Sequence, residues 1–247
     1  MQTAKDIKEQ FKEQYPYRIE LHAHTTPVSK CGEATPEELV EIYAGLGYHA
    51  LVLTNHFGYK VGKFGDQSLT KEEQLAWYIK DYEDAVKAAK KHGLTVLLGA
   101  ELRFSQNTND YMLYGADYEV LSTAYDYLKA GLETFRREVK LEKSLLIQAH
   151  PFRKGIETVA PELLDGIETF NMHPGHNSAV GLAISYAKKC GFSITTAGSD
   201  FHHLNRGHEG VAALRSKVLP KDSFALAEIL KQGDYVFELG GEAIVLP

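Results

Sequence analysis

The amino-acid sequence predicts an α/β fold in which parallel strands and helices alternate around a small barrel. The chain has 247 residues, a length that such barrels commonly use as one domain. Short runs rich in β-branched or aromatic residues alternate with segments of helical periodicity, which is typical of strand–helix units around a parallel sheet. Most of the runs end in a histidine or an acidic residue. Strand ends in such a barrel converge on one face, so these side chains are expected to meet there.

Seven apolar runs are the candidate strands. In chain order they are YRIELHAH, ALVLTNH, TVLLGAE, DYMLYGAD, SLLIQAH, DGIETFNMH and ITTAGSDFH. No internal repeat, low-complexity tract or linker rich in proline, glycine and serine separates them. We therefore predict seven strands in a single domain that covers residues 1–247.

Helix signals lie between the strand candidates. Thr35 is a predicted N-cap, with Pro36 at the first helical position and Glu38 completing a capping box. Residues 71–92 carry apolar side chains at helical spacing before a glycine. Further helices are predicted over 133–143, from about 177 to 191, and over 222–232. The segments YVFEL and EAIVL near the end of the sequence are predicted to form a closing strand pair.

Composition and charge exclude several classes of protein. The 27 basic and 33 acidic residues give a net charge of −6 without a basic block, so a long nucleic acid is not expected as a partner. A small anionic substrate is compatible with this charge, because a bound metal ion outweighs a weak negative field. No apolar run reaches the roughly eighteen residues that a membrane span needs. The charged first residues and the two cysteines favour a cytoplasmic protein.

Metal-ligand residue types lie at the predicted strand ends. His22 and His24 are two residues apart at the end of the first strand, so their side chains point to the same face. The later runs end at His56, Glu101, Asp117, His150, Asp200 and His202. One histidine at a strand end is more often a surface residue than a ligand, but repetition at successive strands favours a metal site. Imidazole and carboxylate together suit zinc, manganese or iron.

These motifs make the sequence similar to the polymerase and histidinol phosphatase (PHP) family. The matching motifs, within roughly residues 17–215, are His22-Ala23-His24-Thr25, Thr54-Asn55-His56, Gly99-Ala100-Glu101, His150-Pro151 and Gly198-Ser199-Asp200-Phe201-His202. The resemblance implies a distorted seven-stranded (β/α)7 barrel of the TIM-barrel type. It also implies two or three divalent metal ions that activate water against a phosphate ester.

The resemblance also implies a ligand set. The first ion would be bound by His22, His24, Glu101 and Asp200, which would carry catalysis. Glu101 would bridge to a second ion that His150 also binds, and His56 and His202 would hold a third. Where the family often has a histidine after a glycine on the fourth strand, this chain has Asp117, so either Asp117 substitutes for that histidine or the second ion is weakly held. Cys31 lies in the loop after His24, where the family often has another ligand, and either binds metal or stays free.

Substrate contacts are predicted for Arg153 and Arg206, which follow ligand motifs and can hold phosphate oxygens bidentately, and for His176. The expected activity is hydrolysis of a small phosphate ester, either a phosphomonoester or a nucleotide-like phosphodiester. Two alternatives remain open at this point. An amidohydrolase also uses a barrel, a His-x-His motif and a late aspartate, and a regulatory module could keep the metal cluster without catalysis. No phosphate-binding glycine-rich loop or Gly-x-Ser-x-Gly motif occurs.

Overall fold

The strands form two mixed six-stranded sheets in the computed structural model, which describes residues 3–247. The strands of the first sheet are β1 (Tyr17–Ala23), β2 (Ala50–Leu53), β4 (Thr95–Leu98), β10 (Ala212–Ser216), β11 (Tyr235–Leu239) and β12 (Ala243–Val245), in the order β12-β11-β10-β1-β2-β4. The strands of the second sheet are β3 (His56–Gly58), β5 (Ala100–Arg103), β6 (Tyr111–Tyr114), β7 (Leu145–Gln148), β8 (Gly166–Asn171) and β9 (Thr195–Gly198), in the order β3-β5-β6-β7-β8-β9.

α-Helices lie in five of the eleven connections between successive strands, and one further helix precedes β1. They are α1 (Ala4–Gln14), α2 (Pro36–Gly45), α3 (Lys71–Ala89), α4 (Tyr118–Tyr127), α5 (Leu132–Glu138), α6 (Val180–Cys190) and α7 (Ser223–Gln232), with a 3-10 turn at Pro161–Leu163. The predicted capping box of α2 is confirmed: the Thr35 hydroxyl accepts a hydrogen bond from the Glu38 N–H, and the Glu38 carboxylate accepts one from the Thr35 N–H. No helix within residues 3–247 is long and apolar enough to cross a membrane.

The two sheets are joined where the chain passes directly from one to the other. Only Thr54 and Asn55 separate β2 from β3, and only Gly99 separates β4 from β5. A parallel bridge between Ala23 and Phe201 links β1 to the segment after β9. The α/β class is confirmed, and each predicted run contains a strand. The seven-stranded barrel is not confirmed, because the described residues form twelve strands in two sheets with several antiparallel pairs.

Strand β6 runs antiparallel to both of its neighbours, β5 and β7. The segment between β5 and β6, residues 104–110, is too short for a helical crossover, so the two strands pair as a hairpin. The start of β6 therefore lies beside the end of β5, and the C-terminal end of β6 lies beside the start of β5. This reversal decides which residues around β6 can reach the ends of the parallel strands.

One buried apolar cluster combines side chains from both sheets, including Ile19, Met112 and Ile147. A direct hydrogen bond anchors β1 to this core, since the buried Tyr114 hydroxyl donates to the Leu21 carbonyl at 3.1 Å. Leu21 immediately precedes the first motif histidine. The strand that carries the His-x-His motif is therefore held against the packed apolar core.

Candidate metal centre

Imidazole and carboxylate side chains converge where β1, β7 and β9 end and where the chain passes from β4 into β5. His22 Nε2 lies 3.1 Å from His24 Nε2. Asp200 Oδ1 lies 3.3 Å from the first of these nitrogens and 3.4 Å from the second. Donors bound to one tetrahedral ion at about 2.1 Å are about 3.4 Å apart. The spacing of these donor atoms therefore fits a single divalent ion.

Glu101 lies at the middle of the cluster and contacts four histidines. Its Oε1 atom is 3.4 Å from His22 Nε2 and 3.1 Å from His150 Nε2. Its Oε2 atom is 3.5 Å from His24 Nε2 and 2.6 Å from His56 Nδ1. A carboxylate that faces imidazoles on both oxygens has the arrangement of a bridging ligand.

A second group of donors lies beside the first. Ligand atoms of His24, His56 and His202 lie within 4.8 Å of one another, and Cys31 lines the same cavity as His56 and His202. Burial raises the pKa of the Cys31 thiol, but hydrogen bonds from His202 and His56 outweigh it and lower the pKa to about 6. The sulfur is therefore largely thiolate at neutral pH, the form that binds metal.

Local backbone geometry aims these side chains. Alternation along β1 places His22 and His24 on one face. Gly198 of β9 must lack a side chain, because a Cβ there would lie 2.4 Å from His22 Cβ. Asp200 and His150 adopt positive φ angles of 51° and 28°, which are strained for residues with side chains and typical of functional sites.

Glu168 of β8 supports the cluster and is missed by reasoning from strand ends. Its Oε1 atom lies 2.9 Å from His22 Nδ1, and its Oε2 atom accepts the His150 N–H at 2.9 Å. A carboxylate on one imidazole nitrogen fixes the tautomer that leaves the other nitrogen free to bind metal. The signal in the sequence was a glutamate in the middle of an apolar run, GIETFN.

Asn55 and Ser29 orient His24 in a similar way. The Ser29 hydroxyl donates to Asn55 Oδ1 at 2.9 Å, so His24 Nδ1, 3.2 Å from that hydroxyl, is the donor in its own contact. This leaves His24 Nε2 unprotonated. The amide of Asn55 also donates to the buried Asp81 carboxylate at 3.2 Å, which an aspartate at position 55 would repel. The structure thus gives a local reason for asparagine here.

The surroundings of His22 and His24 shift the pKa values of the two imidazoles in opposite directions. Burial lowers the pKa of His22, but the carboxylates of Asp200, Glu168 and Glu101 outweigh it and hold the pKa well above its ordinary value. Burial lowers the pKa of His24 well below its ordinary value, and the nearby His202 and His56 lower it further. In the absence of metal, His22 is therefore the imidazole of this pair that takes up an additional proton, and His24 stays neutral.

A cavity of about 220 Å³ opens onto the cluster, and Arg153, His173 and His176 line it together with the candidate ligands His56, Glu101, His150, Asp200 and His202. Arg153 Nη2 donates to Asp200 Oδ2 at 2.6 Å and to Asn171 Oδ1 at 2.7 Å. Arg153 therefore holds one oxygen of Asp200, while the other oxygen faces His22 and His24.

Two predicted site residues lie outside this cavity. Asp117 follows β6, whose C-terminal end points away from the cluster because the strand is antiparallel, and it lines a separate cleft of about 810 Å³. Its carboxylate caps α4 by accepting the Val120 N–H at 2.9 Å. Arg206 is exposed and pairs with Glu33 at 3.1 Å. The expectation that Asp117 binds metal is therefore wrong on geometry, whereas the role of Arg206 as a substrate contact stays a prediction.

Replacing Asp117 with alanine is expected to destabilise the protein by about 1 kcal/mol, the usual cost of losing a helix N-cap, without changing its metal content. Chemical denaturation and elemental analysis test the two parts. Asp222→Ala is a matched control, because Asp222 caps α7 in the same way. Loss of bound metal in Asp117→Ala but not in Asp222→Ala would contradict the cap-only role.

Comparison with known proteins identifies the family. The sequence pattern of the PHP domain matches residues 20–190, more than half of the chain, and the chain belongs to the PHP domain family. This confirms the resemblance seen in the motifs. The DNA polymerase III PolC-type of Oceanobacillus iheyensis is 25% identical in an alignment 240 residues long, which covers 86% of this chain and 14% of that protein. The chain thus spans a small part of the polymerase.

A solved structure shares the fold. It is a two-domain protein from Bacteroides vulgatus that contains a predicted PHP-like metal-dependent phosphoesterase. The two chains superpose with a TM-score of 0.59 at 15% identity, covering 91% of this chain and 65% of the other. The similarity supports the arrangement of strands that positions the candidate metal centre.

Proposed function

We propose that this protein is a metal-dependent hydrolase of small phosphate esters. The observation that carries the proposal is the convergence of His22, His24, Glu101 and Asp200 with donor atoms 3.1 to 3.5 Å apart. A divalent ion held by these groups supplies a water of lowered pKa and neutralises charge on phosphoryl oxygens. Membership of the PHP family supports the same reaction class.

The residues fit such ions by their own chemistry. Glu101 Oε2 is one of the buried atoms within residues 3–247 that have no hydrogen-bond partner. Glu101 Oε2 and His56 Nδ1 are close, but they are not aligned as a hydrogen bond. Buried acceptors without donors are costly unless something else satisfies them. Mixed nitrogen and carboxylate donors favour zinc, manganese or iron.

The proton on His22 gives the centre a pH dependence. A ligand imidazole must be unprotonated at the donor nitrogen, so a metal ion has to displace this proton. The pKa of His22 lies well above its ordinary value in the metal-free protein. The apparent affinity for metal should therefore rise with pH and fall as the medium is acidified.

The cavity suits a small anion. Arg153 supplies a fixed positive charge at its wall and keeps Asp200 oriented. His173 accepts the Gly175 N–H on Nδ1 at 3.0 Å, which leaves Nε2–H as a donor. Burial lowers the pKa of His173 to about 3, so this ring is neutral at physiological pH. A neutral imidazole and a guanidinium together can orient phosphate oxygens, and His176 borders the same cavity.

The substrate class is tested with a panel assayed on metal-loaded protein. It contains phosphomonoesters, short nucleotide phosphodiesters, acyl amides and single-stranded DNA. Nucleotide substrates are included because one relative is a DNA polymerase. We expect turnover of small phosphate esters alone, because the cavity is small and the net charge of −6 disfavours a long polyanion. Turnover of amides alone would support the amidohydrolase alternative, and no turnover of any substrate would support the regulatory module.

Cys31 is proposed as a donor to the ion near His56 and His202. Protein loaded with Co²⁺ should show a thiolate-to-cobalt charge-transfer absorption band, because a cysteine thiolate binds the ion directly. Cys31→Ser should lose the band. Cys190→Ser is the matched control and should keep it, since Cys190 ends α6 and does not line the cavity. A band that persists in Cys31→Ser would contradict the assignment.

A further inference from the structure

Arg103 and Asp110 form a two-point ion pair at the edge of the candidate metal centre. Arg103 Nε donates to Asp110 Oδ1 at 2.6 Å, and Arg103 Nη2 donates to Asp110 Oδ2 at 2.6 Å. Asp110 is 2% exposed, and both residues line the cavity. A guanidinium bound to both oxygens of a buried carboxylate is a strong, charge-assisted contact. The pair therefore occupies both oxygens of Asp110.

The hairpin between β5 and β6 builds this pair. Arg103 ends β5 and Asp110 immediately precedes β6, so the reversal of the chain brings them together. Gly58 is the partner of Arg103 on the neighbouring strand β3. A Cβ at position 58 would lie 2.9 Å from Arg103 Cβ, so the glycine leaves room for the arginine.

Asp110 also lies close to metal-ligand groups. Its Oδ2 atom is 3.9 Å from His150 Nε2, which is itself 3.1 Å from Glu101 Oε1. Ligand atoms of His56, Glu101 and Asp110 lie within 4.8 Å of one another. Without Arg103, these side chains would form a set of imidazole and carboxylate donors suited to a divalent ion.

We infer that the Arg103 guanidinium competes with a metal ion for Asp110, so that Asp110 is not a ligand in this protein. The inference rests on the proposed metal centre. A metal ion that binds Asp110 must lie close to the guanidinium that already holds both of its oxygens, and the two positive charges repel each other. A metal ion beside His150 is therefore bound weakly, and the Arg103 guanidinium supplies the positive charge there instead.

Equilibrium dialysis against Mn²⁺, followed by elemental analysis, tests this inference without any substrate. Arg103→Gln removes the competing charge, and the affinity of the weakest ion should rise at least about tenfold, in the range for changed metal-site groups. Asp110→Asn should bind as many ions as the unmodified protein, and Arg103→Gln/Asp110→Asn should lose the gain. Arg136→Gln is the matched control, since Arg136 makes a similar pair with Asp165 and does not line the cavity.

Two results would overturn the inference. One is an unchanged or lower ion affinity in folded Arg103→Gln, and the other is the loss of one ion in Asp110→Asn, which would make Asp110 a ligand already. Asp110→Asn remains informative if Arg103→Gln folds poorly, because the amide nearly preserves the shape of the side chain. Ion counts are independent of turnover. A gain in Arg103→Gln would support the competition even if no phosphate ester were hydrolysed, so failure of the proposed reaction is separately visible.

Discussion

Replacing Glu101 with glutamine should reduce phosphate-ester hydrolysis by at least about 10³-fold, because the centre loses several kilocalories per mole of charge stabilisation. The carboxylate faces His22 and His150 on one oxygen and His24 and His56 on the other. An amide is neutral, and its nitrogen cannot accept a metal. The variant should therefore also lose bound metal.

Steady-state kinetics and elemental analysis of Glu101→Gln measure the two effects together. Glu238→Gln is a suitable control, because Glu238 is also a buried carboxylate but is paired with Arg18 and Arg215. We expect the control to lose stability and keep its metal per folded molecule. Normal metal content and turnover in Glu101→Gln would reject the bridging position of this carboxylate.

Replacing Asp200 with asparagine should lower kcat/KM by about 10² to 10³-fold, comparable to the loss of one oriented charge-stabilising group. One oxygen of Asp200 faces His22 and His24, and the other is held by Arg153 at 2.6 Å. The near-isosteric amide keeps the volume but loses the negative charge that attracts the ion. The asparagine side chain has only one oxygen, so it can accept either the metal ion or the Arg153 guanidinium but not both.

Circular dichroism should show that Asp200→Asn is folded, and a metal titration should show a higher dissociation constant for the tightest ion. Asp165→Asn controls for the loss of a carboxylate paired with arginine, because Asp165 binds Arg136 away from the cavity. Unchanged kinetics in Asp200→Asn, with unchanged ion affinity, would remove this residue from the first ion position.

Much of the site was predictable, because the direction of each strand decides where its C-terminal end lies. His22, Glu101, His150 and Asp200 all follow short apolar runs, and the structure brings them within a few ångströms. The prediction succeeded because β1, β2 and β4 are parallel in one sheet, β7, β8 and β9 are parallel in the other, and the parallel bridge between Ala23 and Phe201 brings the ends of the two sets together. The metal roles of these residues remain predictions.

The prediction for Asp117 failed because every run was assumed to be parallel. Between Glu101 and the next run there are too few residues for a crossover helix, which favours a hairpin. This short spacing predicts that β6 is antiparallel to β5. It therefore makes Asp110, which precedes β6, the candidate residue at the metal centre. Composition alone does not contain this information, because the two aspartates bracket the same apolar run.

Glu20 and Glu168 were missed for a different reason. Both lie inside runs that were interpreted as apolar strands, and both are fully or almost fully buried. Glu20 Oε1 accepts the N–H groups of His22 and Ser199, so it ties β1 to the segment that carries Asp200. A charged residue in the middle of a buried strand requires a partner and is a usable signal for a supporting position.

Hydrolysis of a chromogenic phosphomonoester by metal-stripped and reconstituted protein tests the central proposal most directly. The protein is treated with a chelator, freed of it, and titrated with Mn²⁺ or Zn²⁺ while turnover and bound ions are measured on the same samples. We predict that the stripped protein is inactive and that turnover returns in proportion to the ions bound. Equal turnover in stripped and loaded protein, or no turnover of either this ester or a small chromogenic phosphodiester by fully loaded protein, would contradict the account.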